Sequence, residues 1–193
     1  MMIKKKSYFS LMHCLNLLNN NDIIAYPSES VFGLGCNPDH QDTILKLINL
    51  KNRNRNQGLI LVASHYYQLL PYINETYLSI KEKSIMFSCW PGCITFLVPS
   101  QPNVSNLITG YSGLIAVRVT SHAILRNLCW YYGKPIISTS ANISGMQPSK
   151  TPNEVCDFFG SDFPILDGNI GNFLYPSKIF NIITGECIRD ESR

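Results

Sequence analysis

The sequence has little charge and no long uninterrupted apolar run. Charged residues make up 15% of the 193 residues, and 16 Lys and Arg against 13 Asp and Glu leave a formal net charge of +3. This excess is too small to indicate nucleic-acid binding by itself. No stretch approaches about 18 consecutive apolar residues, so no membrane span is predicted. The apolar segment near the start is interrupted by polar residues and has no small-residue cleavage site after it, so we expect a cytoplasmic protein.

Most motifs of nucleotide, hydrolytic and metal chemistry are also absent. The chain has no G-x-x-x-x-G-K-[ST], H-E-x-x-H or G-x-S-x-G, and Gly33-Leu34-Gly35 lacks the third glycine of a dinucleotide fingerprint. The seven cysteines form no C-x-x-C pair, and the four histidines show no metal-ligand spacing. We therefore expect reduced, buried thiols and no metal ion held by the protein itself.

The chain nevertheless has enough apolar material for a core, since 45% of its residues are hydrophobic. Its length predicts a single domain over residues 1–193. Apolar periodicity predicts helices over about 8–19 (capped by Ser7), 40–50, 64–70, 76–87, 121–132 and 152–159. It predicts strands over about 22–26, 59–63, 94–98, 114–120, 135–138 and 179–183. Strands and helices interleave without strict alternation, which favours an α/β fold with a mixed sheet.

Two polar segments in the first third of the chain are candidate binding sites, because ligands of open α/β sheets bind in loops at strand ends. Residues 26–35 combine hydroxyls, a carboxylate and glycines that permit close backbone approach, although Ser28 and Glu29 would also suit a helix start. Lys51 and Arg53 follow a predicted helix, where they would either complement its dipole or bind phosphate.

Two further segments lie in the second half of the chain. Arg118 stands inside an apolar strand, which is costly unless the cation is paired, so it predicts an edge position, a structural ion pair or an anion ligand. Residues 138–145 carry hydroxyls and one amide after a buried strand, as in a polar loop or an anion-binding nest. The four segments contain no nucleophile–base pair. They favour a reaction whose substrate brings the nucleophile, such as phosphoryl or nucleotidyl transfer.

Six stretches in order resemble the threonylcarbamoyl-AMP synthases, the YrdC-like family, in its short bacterial form. They are AYPSESVFGLGCNPD (25–39), LKNRNRNQGLILVA (50–63), WPGCITFLVP (90–99), LIAVRVTSHAIL (114–125), GKPIISTSANISG (133–145) and, more weakly, PSKIFNIITGECIRD (176–190). Together they span nearly the whole chain. The resemblance implies a YrdC-like fold, in which a twisted mixed parallel/antiparallel sheet with flanking helices surrounds a deep basic cavity.

The resemblance also implies a nucleotidyltransferase reaction. L-threonine and bicarbonate combine, the resulting carboxylate attacks the α-phosphate of ATP bound with Mg²⁺, and pyrophosphate leaves. The product, threonylcarbamoyl-AMP, would pass to a threonylcarbamoyl-transferase complex that modifies the adenosine beside the anticodon of tRNAs reading codons that start with A. The resemblance is also compatible with weak tRNA binding by this chain.

The resemblance assigns roles to seven residues by position. The residues expected to bind ATP are Lys51, Arg53, Ser140 and Asn142. The residues expected to bind threonine are Ser28, Arg118 and Ser138. No residue is expected to act as a conventional acid, base or nucleophile.

The chain departs from the family pattern at three places. Gln57 stands where the family has a second lysine, and Arg55 is close enough to replace that contact. Cys93 replaces the second proline of a Pro-Gly-Pro turn, and Asn172 and Phe173 lie in a segment that has lost a basic contact.

Two other functions remain open at this point. The first is an RNA-binding module, which the small net charge does not favour. The second is a carbamoyl-transfer enzyme of hydrogenase maturation, but those chains are longer and carry zinc-finger-like cysteine pairs that this sequence lacks.

Overall fold

Eight strands form one mixed sheet, which organises the computed structural model. The structure describes the backbone of residues 2–190 and the side chains of residues 8–190. The strands are β1 (Ile24–Pro27), β2 (Phe32–Gly35), β3 (Ile60–Ala63), β4 (Ile94–Pro99), β5 (Leu114–Val119), β6 (Ile136–Ser140), β7 (Lys178–Asn181) and β8 (Cys187–Arg189). Their order across the sheet is β1-β2-β6-β3-β5-β4-β7-β8. The β3–β5 and β4–β7 pairs are parallel and the other five are antiparallel, which confirms the mixed sheet.

Six α-helices and two short 3-10 helices connect the strands. The α-helices are α1 (Met2–Asn19), α2 (Gln41–Leu50), α3 (Ile80–Cys89), α4 (Asn106–Thr109), α5 (Ala123–Tyr132) and α6 (Pro152–Phe159), and the 3-10 helices are Tyr66–Leu69 and Glu75–Tyr77. Local sequence explains several boundaries. Ser79 and Glu82 form a capping box at the start of α3. Gly133 ends α5 with a left-handed backbone, which glycine adopts without steric cost.

The two faces of the sheet carry separate apolar clusters. Successive strand residues point to opposite faces, so Leu61 of β3 packs in the larger cluster and Val62 in the smaller one. The smaller cluster is covered by α1 and α5, through residues such as Leu18 and Leu128. It occupies one end of that face, where Val62 pairs with Ile136. The other end, where Ile60 pairs with Ser138, is left for a cavity.

Several predicted boundaries are wrong. Helix α1 extends before Ser7, so Ser7 does not begin it. Residues 64–70 contain only a 3-10 helix. Neither β2, which contains Gly33 and Gly35, nor β8 is among the strands predicted from the sequence. The glycines of β2 have a packing role. The ring of Tyr26 lies over both, so a Cβ on Gly35 would stand 2.6 Å from its Cε1 atom.

The cysteine and membrane predictions have mixed outcomes. All seven cysteines are free thiols, but only Cys14, Cys36 and Cys129 are buried, and Cys187 is exposed. Within residues 2–190, no helix is both long and apolar enough to cross a membrane. The single domain over residues 1–193 stays a prediction, because residues 1 and 191–193 lie outside the described part.

Candidate active-site cavity

A cavity of about 350 Å³ lies over the sheet at the end that α1 and α5 leave uncovered. This volume falls within the usual range of small-molecule sites. The lining includes residues of the β1–β2 loop, the loop before β3, the end of α4 and the turn after it, strands β5 and β6, and the last hairpin, β7–β8. Five of the seven predicted site residues line it, namely Ser28, Arg53, Arg118, Ser138 and Ser140. The sheet therefore brings together residues that are up to 112 positions apart in sequence (28 to 140).

Arg118 occupies the floor of the cavity in a buried ion pair. Its Nη1 atom lies 2.6 Å from Oε2 of Glu29, and both side chains are less than a tenth exposed. Of the three interpretations left open by the sequence, the structural ion pair is present. Burial alone would lower the pKa of Arg118, but the charge and hydrogen bond of Glu29, together with smaller contributions from Cys93 and Tyr26, outweigh it and raise the pKa. The guanidinium therefore keeps its positive charge.

Serine hydroxyls form another part of the cavity lining. Ser138 and Ser140 are two residues apart on β6, so both point to the cavity face. Ser28 lies in the β1–β2 loop, where its hydroxyl donates to the carbonyl of Val31 at 2.6 Å. The Ser28 oxygen keeps a lone pair, so it can accept a hydrogen bond from a ligand. Ser28 and Glu29 do not begin a helix, because the chain turns directly into β2.

Lys51 and Asn142 do not line the cavity but lie behind its wall. The Lys51 ammonium donates to the carbonyls of Ser140 and Asn142, the latter at 2.6 Å, and lies 3.4 Å from Oδ1 of Asn142. The backbone of Lys51 accepts from Ser144 N at 2.9 Å. Burial and the nearby Arg53 charge lower the pKa of Lys51 to about 7. These contacts join the end of α2 to the loop that follows β6.

Two further arginines, Arg53 and Arg189, line the cavity together with Arg118. Arg53 donates from Nη2 to the Gly58 carbonyl at 2.8 Å, and Arg189 donates from Nη2 to the Ser177 carbonyl at 2.7 Å. Burial, followed by the like charge of Arg189, lowers the pKa of Arg53. Two mutually repelling guanidinium groups at one cavity favour an anionic ligand there.

Sequence reasoning missed Glu29 and Arg189 as site residues. Arg118 in an apolar strand signalled that a carboxylate partner was needed, but nothing in the sequence named Glu29, which is 89 positions away. Arg189 gave no signal, because it ends a short strand whose other two residues are exposed.

The departures from the family pattern lie beside the cavity rather than in its lining. Gln57 and Arg55 are both exposed and neither lines it, whereas their neighbour Asn56 does. Cys93 is close enough to interact electrostatically with Arg118, and burial raises the pKa of its thiol. The backbone of Phe173 donates to the Glu29 carbonyl at 3.1 Å.

The basic character predicted for the cavity rests on three arginines, of which Arg118 is neutralised by Glu29. A deep basic cavity thus stays a prediction. Among the described residues, no group of three or more His, Cys, Asp or Glu side chains is arranged to hold a metal ion.

Comparisons with known proteins agree with this architecture. The family model for the Sua5, YciO and YrdC proteins, described as "Telomere recombination", matches residues 16–190. The threonylcarbamoyl-AMP synthase of Buchnera aphidicola subsp. Acyrthosiphon pisum (strain APS) is 51% identical over 173 residues, covering 90% of this chain and 99% of that protein.

Two solved structures are similar in fold. P. abyssi Sua5 complexed with L-threonine has a TM-score of 0.83 and 26% identity, covering 91% of this chain and 51% of that one. The present chain thus spans about half the length of that protein. E. coli YciO has a TM-score of 0.77 and 20% identity, and the match covers 95% of this chain and 91% of YciO. At this identity the similarity supports the fold alone.

Proposed function

The chain belongs to the Sua5/YciO/YrdC family, and from this premise we propose that it is a threonylcarbamoyl-AMP synthase. The bacterial relative that carries this name matches almost end to end at 51% identity. The chain is therefore an enzyme that acts on small molecules. The nucleotidyl-transfer step, the individual ligand contacts and the downstream partners described next are our proposal.

The observation that supports this proposal best is the composition of the cavity. Its lining combines Arg53, Arg118 and Arg189 with the hydroxyls of Ser28, Ser138 and Ser140. Guanidinium groups suit carboxylates and phosphates, because their planar donors match both geometries. Hydroxyls suit an amino-acid side chain or a ribose. One cavity thus offers complementary groups for an amino acid and for a nucleoside triphosphate.

In the proposed reaction the substrates supply both the nucleophile and the leaving group. The threonine amine combines with bicarbonate to give a carbamate and water. A carbamate oxygen then attacks the α-phosphorus of ATP, and the bond to the departing pyrophosphate breaks. No side chain needs to act as a nucleophile. The protein contributes positioning and stabilisation of the negative charge on the phosphates.

We assign the lining residues according to charge and place. Arg118, Ser28 and Ser138 would hold threonine, with the guanidinium on its carboxylate. Arg53 and Ser140 would contact ATP, and Arg189, close to Arg53, would share the phosphate charge. ATP would arrive with its Mg²⁺, which prefers oxygen ligands from phosphates and water.

Lys51 and Asn142 would serve ATP binding from behind the wall, by fixing the backbone of the Ser140 segment. Their contacts support this indirect role, since the Lys51 ammonium already has three oxygen neighbours. The product would be consumed by a threonylcarbamoyl-transferase complex acting on tRNA.

Pyrophosphate release from ATP by the purified protein tests this function. Release that requires both L-threonine and bicarbonate is the expected result. A folded protein that releases none would contradict the proposal. Salt-dependent binding of RNA by such an inactive protein would instead support the RNA-binding alternative.

A further inference from the structure

The Glu29 carboxylate receives three hydrogen bonds from one short segment of the chain. Arg118 Nη1 donates at 2.6 Å, Thr120 Oγ1 at 2.7 Å and the backbone N of Ser121 at 3.2 Å. Thr120 is itself fixed, because its hydroxyl oxygen accepts from His122 N at 3.1 Å. The end of β5 and the turn after it are therefore arranged around one carboxylate.

The backbone at Glu29 is held from the other side by the segment before β7. Gly171 N donates to the Ser28 carbonyl at 2.8 Å, and Phe173 N donates to the Glu29 carbonyl at 3.1 Å. Gly171 packs so closely that a Cβ there would lie 2.6 Å from the Glu29 carbonyl oxygen. His122 adds a link between the two segments, since its Nε2 lies 3.0 Å from the Asn169 carbonyl. Glu29 consequently has little freedom to shift.

Glu29 does not face the cavity, although Ser28, Ser30 and Val31 around it do. Burial alone would raise its pKa, but the Arg118 charge and the Thr120 hydrogen bond hold that pKa below its usual range. A permanently ionised carboxylate behind the lining is poorly suited to accept a proton from a substrate. Any influence of Glu29 on the reaction must therefore pass through another residue.

Arg118 is the residue through which Glu29 can act. It lines the cavity, and only its Nη1 atom bonds to Glu29. Its Nε atom is buried and has no hydrogen-bond partner among the described residues. Unused donors on a buried guanidinium are unusual and call for a functional explanation. The guanidinium is thus anchored at Nη1, on a residue that lines the cavity, and its hydrogen-bonding capacity is not exhausted by the described residues.

We propose that Glu29 is a positioning residue that holds the Arg118 guanidinium in the orientation in which it receives the carboxylate of the threonine substrate. The carboxylate of Glu29 fixes one nitrogen of the planar group and strand β5 fixes the backbone of Arg118, so the orientation of the remaining donors follows from the rigidity of that plane. This inference rests on the proposed function, because it takes threonine to be the ligand of Arg118.

Glu29→Gln is the variant that tests the role, since it keeps the shape and removes the charge. We expect the KM for threonine in the pyrophosphate-release assay to rise at least tenfold, with the KM for ATP changed less than about twofold. Thr120→Val is the matched control. It removes one hydrogen bond to Glu29 but keeps the ion pair, so we expect a smaller rise in the KM for threonine, about threefold.

A double-mutant cycle separates the proposed positioning role of Glu29 from its contribution to the stability of the fold. Glu29→Gln alone leaves a buried cation without its partner and lowers the urea midpoint of unfolding. Glu29→Gln with Arg118→Met removes both charges, so we expect the midpoint to recover relative to Glu29→Gln. The threonine KM of the double variant should nevertheless equal that of Arg118→Met alone, because Glu29 acts only through Arg118.

The outcomes distinguish the two hypotheses. Threonine-dependent release by the wild type together with an unchanged threonine KM in folded Glu29→Gln would overturn the positioning role alone. Additive threonine effects in the double variant would overturn it as well, since they would show a route that bypasses Arg118. If the wild-type protein releases no pyrophosphate in response to threonine, the proposed function fails, and this inference fails with it.

Discussion

Two buried cations, Arg118 and Lys51, meet the cost of burial in different ways. Arg118 pairs with the carboxylate of Glu29, whereas Lys51 donates to neutral oxygens of Ser140 and Asn142. The pKa values shift in opposite directions as a result. That of Arg118 rises, and that of Lys51 falls to about 7. The partner sets the direction of each shift, whereas the high intrinsic pKa of a guanidinium keeps Arg118 charged in either case and only Lys51 is brought to titrate near neutral pH.

The same difference separates a ligand-binding role from a supporting one. Arg118 engages its partner through Nη1 and is one of the residues that line the cavity. Lys51 has three oxygen neighbours for its three N–H groups and lies outside the lining. We therefore expect substitutions of Arg118 to impair threonine binding. Substitutions of Lys51 should instead loosen the wall that carries Ser140.

Arg118→Met should give the largest effect, because it leaves the Glu29 carboxylate buried without its cation. Breaking such a pair from one side typically costs about 3–5 kcal/mol of unfolding free energy. Urea unfolding measures this loss, and in the assay for threonine-dependent pyrophosphate release the KM for threonine should rise by more than the tenfold expected for Glu29→Gln. Arg126→Met on the exposed side of α5 is the matched control, for which we expect no measurable change. Equal stability of the two variants would contradict the importance of the Glu29 pair.

Arg53→Ala should give the next largest effect, on turnover rather than on stability. Hydrogen bonds to charged groups contribute about 1.5–3 kcal/mol each, so the loss of one phosphate contact should lower turnover at least tenfold. Arg55→Ala is the matched control, because Arg55 is exposed and does not line the cavity. Unchanged turnover in Arg53→Ala would refute its assignment. An equal loss in Arg55→Ala would show that Arg55 replaces the family lysine at Gln57.

The sequence predicted the elements that have a clear local pattern. Helices α2, α5 and α6 have apolar periodicity and recognisable terminal residues. Strands β3, β4 and β5 are apolar runs of the expected length. It did not predict β2, because Gly33 and Gly35 are ordinary turn residues unless a ring such as that of Tyr26 needs the space above them. It did not predict β8 either, since Cys187 and Ile188 are exposed and show no alternation.

The candidate site was predictable only in part, for a similar reason. An arginine in an apolar strand indicates that a partner is needed. Only the long-range packing of the chain determines that the partner of Arg118 is Glu29. The resemblance also groups Lys51 with Asn142, and the structure does bring them together. Which of them faces the cavity depends on how the end of α2 packs against the loop after β6. No local pattern carries that information.

The contrast between Arg118 and Lys51 also predicts how the stability contributed by Lys51 depends on pH, which a pH series on wild type and Lys51→Met tests. In the folded protein the pKa of Lys51 is about 7 against an ordinary value of 10.5, so between these values the unfolded chain binds more protons. The free energy of unfolding of the wild type should therefore rise with pH in this window relative to Lys51→Met, by up to about 1.4 kcal/mol per pH unit. Urea unfolding at intervals from pH 6.5 to about pH 9 measures it. Parallel pH profiles for the two proteins would show that Lys51 keeps its charge.

The exposed ion pair Lys83–Glu75 should give the smallest effect and shows what burial adds. Its Nζ–Oε1 distance is 3.0 Å, close to that of the Arg118 pair, but about a third of each side chain is exposed. Water already solvates both charges, so Lys83→Gln should lower the unfolding free energy by less than about 1 kcal/mol. Salt at about 0.5 M should shrink that difference further, because it screens exposed charges. Urea unfolding at low and high salt measures both quantities. A loss as large as that of Arg118→Met would mean that the short distance, and not burial with its hydrogen bonds, distinguishes the cavity pair.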